Sequence, residues 1–116
     1  MSKLPRGASA IVDLFKLREY CLSPSHPRGR HKARVFASTL GLEAADAAEL
    51  REALLRAARE CDAEPGDEDQ YGRRYVVDSV MERRTVTATI RSVWILPPDE
   101  GPPRLVTCYV HSTTFA

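Results

Sequence analysis

The hydrophobic positions of this chain change period once. Up to residue 61 apolar side chains recur every three or four positions, the spacing of one helix face; beyond residue 71 they alternate, the spacing of a half-buried strand. Between 11 and 22, Val12, Phe15, Leu17, Tyr20, Cys21 and Leu22 follow the helical period. Asp13 stands in the first turn, where a carboxylate suits the positive end of the helix dipole. Helical spacing returns near Arg30 with Val35, Phe36, Thr39 and Leu40 on one side, and Gly41 closes that run. A third helix over 44–61 is built from strong helix formers, with Leu50, Leu54 and Ala57 or Ala58 in register. Between the first two helices, 23–29 holds two prolines and a glycine and must turn.

The stretch 64–69 is acidic, is interrupted by Pro65-Gly66, and reads as a connector between halves. After it, 74–81, 85–96 and 104–112 are enriched in Val, Ile, Thr, Tyr and Trp, which predicts three strands. Glu82-Arg83-Arg84 is short enough for a hairpin, and the proline-rich 97–103 is a stiff loop. The expected fold is α+β, with two to three N-terminal helices packed on a three- to four-stranded antiparallel meander. At 116 residues the chain suits a single domain, with 1–10 a flexible arm, 11–63 the helical half and 71–113 the sheet.

Composition narrows the function classes. With 43% hydrophobic and 28% charged residues the chain is of globular type, and no apolar run approaches the roughly 18 residues of a membrane span. Residues 1–7 lack the apolar block of a secretory signal, so the expected compartment is the cytoplasm. Cys21, Cys61 and Cys108 are far apart, form no zinc or redox motif, and are expected as buried thiols; no metal or cofactor is expected.

The net charge of +1 conceals segregation. Residues 1–40 sum to +6, 41–70 to −7 and 71–116 to +2. A basic surface for a polyanion, opposed by an acidic helix, is one reading; neutralisation of the segments by one another inside the fold is the other.

The basic end concentrates candidate chemistry. His26, Arg28, Arg30, His31, Lys32 and Arg34 crowd the turn and start of the second helix. Alternation in the last strand places Leu105, Thr107, Tyr109 and His111 opposite Val106, Cys108 and Val110, and Arg91 of the middle strand joins the polar face. Folded over the sheet edge, the basic turn would bring imidazoles, a lysine and guanidiniums together. Such a group suits metal-independent cleavage of RNA. A base takes the 2′-OH proton, an acid protonates the departing 5′ oxygen, and cations hold the charged phosphorane; each positioned acid or base contributes about 10²–10⁴-fold. Arg28, Arg30, Arg34, Arg73, Arg91 and His111 are the candidate nucleic-acid contacts. No paired carboxylates for two-metal catalysis, glycine-rich nucleotide loop or nucleophile elbow is visible.

Lys16-Leu17, Tyr20-Cys21-Leu22, His26-Pro27-x-Gly29, Lys32-Ala33 and Phe36, followed by Tyr71-Gly72-x-Arg74-Tyr75, Trp94-Ile95 and Pro103 through Tyr109, carry a resemblance over most of the chain. Together they resemble an uncharacterised family of small bacterial domains found in toxin and toxin–antitoxin settings. The helices-then-meander order, ending in Val-Thr-x-Tyr, is more weakly similar to the barnase, EndoU, colicin and RelE group of metal-independent ribonucleases. The resemblance points to His26, Lys32, Arg74, Trp94, Thr107 and Tyr109. His31 and His111 enter from the charge argument alone. By similarity to ribonucleases of the RelE kind, Lys32 and Arg74 stabilise the transition state and His26 moves the proton. RNA is then the expected substrate, and a cognate antitoxin or immunity protein the expected partner. The alternatives are a non-catalytic nucleic-acid- or protein-binding module, or the neutralising member of such a pair. A homodimer through an unpaired strand edge also remains open.

Overall fold

Helices with one apolar stripe and strands with one apolar face can bury both only by stacking, and the computed structural model shows that two-layer arrangement. It describes residues 2–115, with side chains described as far as Thr113. The fold is α+β, its sheet antiparallel in the order β1 (Ala63–Asp69), β2 (Gly72–Arg83), β3 (Val86–Leu96) and β4 (Arg104–Phe115).

The helical half follows local rules. Helix α1 (Leu14–Lys16) starts where the Asp13 carboxylate accepts from the Phe15 N–H at 2.9 Å. The expected first helix is only this short, because it widens at once into a π turn over Leu17–Cys21 that drops Leu17 and Cys21 into the core. Helix α2 (Arg30–Leu40) ends at Gly41, whose φ of 67° is the left-handed region where glycine is least strained. A tight turn at Ala44–Asp46, closed by reciprocal Glu43 and Asp46 bonds, leads into α3 (Ala47–Glu60).

Phe36 and Leu40 of α2, with Leu50, Leu54 and Ala58 of α3, meet Val77, Ala88, Ile90, Trp94 and Cys108 on the sheet. Trp94 is fully buried, and its indole N–H donates to Ser92 Oγ at 2.9 Å while Ser92 donates to the Val77 carbonyl at 3.1 Å. The buried polar groups are thereby satisfied.

Three further expectations change. The acidic 64–69 is not a connector but most of β1, paired to β2 from Ala63 opposite Val77 to Asp69 opposite Gly72, with a bulge between Pro65 and Glu68. As an outer strand it needs little apolar content, and only Ala63 is buried. Segment 1–10, leaving aside Met1, which lies outside the described residues, is tied down. Lys3 bridges Asp62, the Ser2 carbonyl accepts from Ala63, and Leu4 is buried. Strict alternation in β4 also fails. Trp94 faces Leu105 while Val93 faces Thr107, and Ile90 faces Val110 while Thr89 faces Ser112, so Val106 and His111 are extra residues in two bulges. Leu105 therefore packs in the core, apart from Thr107 and Tyr109.

Arg83 joins the layers. At the end of β2 it donates to the Leu40 and Gly41 carbonyls at 2.8 and 3.0 Å and to Glu49 at 2.9 Å, with Asp46 at 3.6 Å. The carbonyls are those the end of α2 leaves unpaired. Arg83→Ala is expected to lower stability by about 1–3 kcal/mol, read from urea unfolding, with Arg83→Lys recovering only part because one ammonium cannot reproduce the fork.

Candidate active site

Helices cover one face of the sheet; the other is open and bears a line of interacting polar side chains. Lys32, in the first turn of α2, reaches around β4. Its Nζ lies 3.5 Å from Thr107 Oγ1 and 5.0 Å from the centre of the Tyr109 ring, a cation–π distance. Tyr109 is directly opposite Arg91 of β3, which is directly opposite Asp78 of β2. Arg91 donates Nε and Nη2 to the two Asp78 oxygens, each at 2.9 Å, a bidentate pair. A continuous path thus runs across three strands from Lys32 to Asp78.

Charge on this face is mutually supported. The hydrogen bonds from Arg91 hold the Asp78 carboxyl below the usual range, against a smaller opposing push from burial, and the nearby His111 acts in the same direction as Arg91. The guanidinium of Arg91 is correspondingly raised, first by its bond to Asp78 and also by the Tyr109 hydroxyl. Beneath the face, Cys21 and Cys108 share a buried thiol contact: the bond from Cys108 pulls Cys21 down to about 7, while Cys108 is pushed up.

The remaining sequence candidates are placed elsewhere or otherwise engaged. His26 Nδ1 accepts from the N–H groups of Arg28 and Gly29, both at 3.1 Å, and its ring stands edge-on to Tyr20 at 4.5 Å. It orders the turn into α2, leaving Nε2 as its free nitrogen. A Cβ on Gly29 would run into the Tyr20 carbonyl oxygen, so the His-Pro-x-Gly spacing is accounted for by packing of this turn on the π turn. His31, Arg28, Arg30 and Arg34 are exposed around the start of α2. Arg73 and Arg74 are engaged with Glu68 and Asp69 at 3.0 and 2.9 Å, joining β2 to β1.

Because the His26 ring holds the turn before α2, His26→Ala is expected to lower stability by about 0.5–1.5 kcal/mol in urea unfolding, whereas His26→Asn, which keeps an acceptor, restores most of it. Equal losses in the two variants would remove the turn-ordering role.

Asp78 was absent from the sequence candidates, although a signal existed. A tight hairpin after Arg83 pairs residue 83 with 86, and counting back along both strands sets 78 against 91. Among the described residues no group of three or more His, Cys, Asp or Glu is arranged to hold a metal ion, and no helix is long and apolar enough to cross a membrane. In comparisons with known proteins, residues 3–112 match a family model described as a domain of unknown function, DUF6883. No curated protein and no solved structure matches the chain.

Proposed function

For a chain that belongs to the DUF6883 family, we propose metal-independent endoribonuclease activity on the open face of the sheet. One observation carries the reading: Lys32, Thr107, Tyr109 and Arg91, from three separate elements, converge on a solvent-accessible face with His111 nearby.

A phosphodiester set against this face would meet the Lys32 ammonium and the outer edge of the Arg91 guanidinium, which Asp78 orients. The 2′-oxygen attacks phosphorus as its proton passes to a base, the P–O5′ bond breaks, and the 5′ oxygen leaves with a proton from an acid. The products are a 2′,3′-cyclic phosphate and a free 5′-OH. His111 and the Tyr109 hydroxyl are the groups on this face suited to the proton transfers, and Lys32 and Arg91 to the charge that builds on the phosphorane. Relative to the resemblance, this moves proton transfer from His26 to the open face and gives Arg91 the role assigned to Arg74. Such an activity in the cytoplasm arrests growth, so the proposal includes a cognate neutralising protein.

Incubation of the purified chain with total RNA in excess chelator tests the reading. Cleavage leaving cyclic phosphate ends is the expected result; intact RNA under these conditions would abandon catalysis in favour of a binding module. Binding through phosphate contacts alone would weaken steeply with salt.

A further inference from the structure

β2 outruns its neighbour. β1 accompanies it only as far as Val77, opposite Ala63, so from Asp78 to Arg83 the side of β2 away from β3 has no strand beside it among the described residues. Alternate backbone N–H and C=O groups along this stretch therefore point away from the sheet. Helix α3 runs over this stretch and leaves a groove of about 380 Å³ between itself and the strand. Its floor is apolar, with Leu50, Leu54 and Met81, and at its mouth Val80 is 73% exposed.

The other outer strand positions are guarded. β1 carries Pro65, a bulge and a row of acids, and β4 is flanked by α2 and by a parallel bridge from Ile11 to Arg104. The free half of β2 has no proline and no bulge in its pairing with β3. We infer that this groove is a docking site for an extended basic peptide of a partner protein, which adds to β2 as a strand alongside α3. This goes beyond the catalytic reading, because it uses neither Lys32, Tyr109 nor Arg91.

Charge selects the occupant. The rim carries Glu52, Glu60 and Glu82, and among the described residues the only cation lining the groove is Arg56. Glu49 is engaged by Arg83, whereas Glu52 and Glu60 have only loose contacts to Arg51 and Arg59, at 3.9 and 4.0 Å. A strand laid about 4.8 Å from Asp78–Arg83 would form main-chain bonds to it, point one set of side chains to the apolar floor with Glu52 and Glu60 of α3 beside it, and turn the other set to the face that bears Glu82. A second copy of this chain fits poorly. Pairing the same edge with itself would bring two acidic rims together, and like charges facing one another across strands are unfavourable.

The test is fluorescence anisotropy with a labelled peptide of about six residues, the length of the free edge, alternating Lys with Thr and Val, beside a version with Glu for Lys. Saturable binding of the basic peptide that weakens with salt is expected. Glu52→Lys with Glu82→Lys should weaken it by about tenfold or more, roughly 1.4 kcal/mol or more. Both glutamates are exposed, so the reversal leaves the core intact, as a melting curve would verify. Amide shifts on binding should concentrate at residues 79–82 and along α3. Equal binding of the acidic peptide, unchanged affinity in the reversed variant, shifts centred on the Lys32 face, or no saturation would each overturn the inference.

Discussion

Lys32→Ala is expected to slow RNA cleavage by about 10²–10³-fold, the usual cost of removing one preorganised group that stabilises developing charge. Lys32 is the only one of the converging side chains supplied by a helix, and the Tyr109 ring beneath it and Thr107 beside it hold its ammonium over the open face. Arg91→Ala should have a comparable effect on rate for a second reason. It deletes a cation and also frees Asp78, adding an uncompensated negative charge where a phosphate would sit. Asp78→Asn separates the two contributions: Arg91 stays, its bidentate anchor weakens, and the loss should be smaller. Tyr109→Phe keeps the ring under Lys32 and removes only the hydroxyl, so a drop there assigns proton transfer or hydrogen bonding, and no change assigns the ring to positioning. Rates are compared in chelator, with melting curves confirming that each variant is folded. Undiminished cleavage in the Lys32→Ala, Arg91→Ala double variant would end the proposed mechanism.

Trp94→Ala is expected to be the most damaging core substitution, at about 3–5 kcal/mol, because it removes the largest fully buried side chain and leaves a cavity that the stiff sheet closes only partly. That is a large share of the roughly 5–15 kcal/mol that holds a typical domain together, so the variant should melt early or fail to fold. Ser92→Ala is smaller in volume but leaves the Trp94 N–H without its 2.9 Å acceptor in a dry core, at about 1–3 kcal/mol. Coupling between the two is the discriminating measurement. Trp94→Phe with Ser92→Ala removes both ends of the bond and should cost less than the sum of the two single changes. Strict additivity in urea unfolding would show that the indole N–H and the Ser92 hydroxyl do not act as a pair.

Much of the architecture was legible because it is local. The run from Arg30 to Gly41 carries its own stop signal, α3 is rich in strong helix formers, and the change from helical spacing to alternation marks the passage to the sheet. Hairpin β2–β3 follows from a short turn between two apolar alternating segments. Lys32, Thr107, Tyr109, Arg91 and His111 could be named as candidates because their chemistry is unusual for their positions, and alternation put Arg91, Thr107 and Tyr109 on one face. Other features have no local signature. Glu64 to Asp69 has poor strand propensity, and only the backbone of β2 beside it makes it β1. The bulges at Val106 and His111 arise where β4 pairs with β3, so alternation read from one strand misplaced Leu105. His26 is a different case: its Nδ1 takes the N–H groups of Arg28 and Gly29, two and three positions along, a local turn contact that its reading as a proton carrier passed over.

Helices α2 and α3 and strands β2, β3 and β4 were readable residue by residue, since helix caps, propensity and apolar period act between residues a few positions apart. Strand β1 and the grouping of the charged side chains came only with tertiary packing. Lys32 and Thr107 are 75 positions apart and meet only because α2 lies along the β4 edge, and Asp78 takes Arg91 only in the register that the hairpin sets. Ion pairs and cation–π contacts act over a few ångströms and are indifferent to separation along the chain, so the site came into being with the packing of helix on sheet.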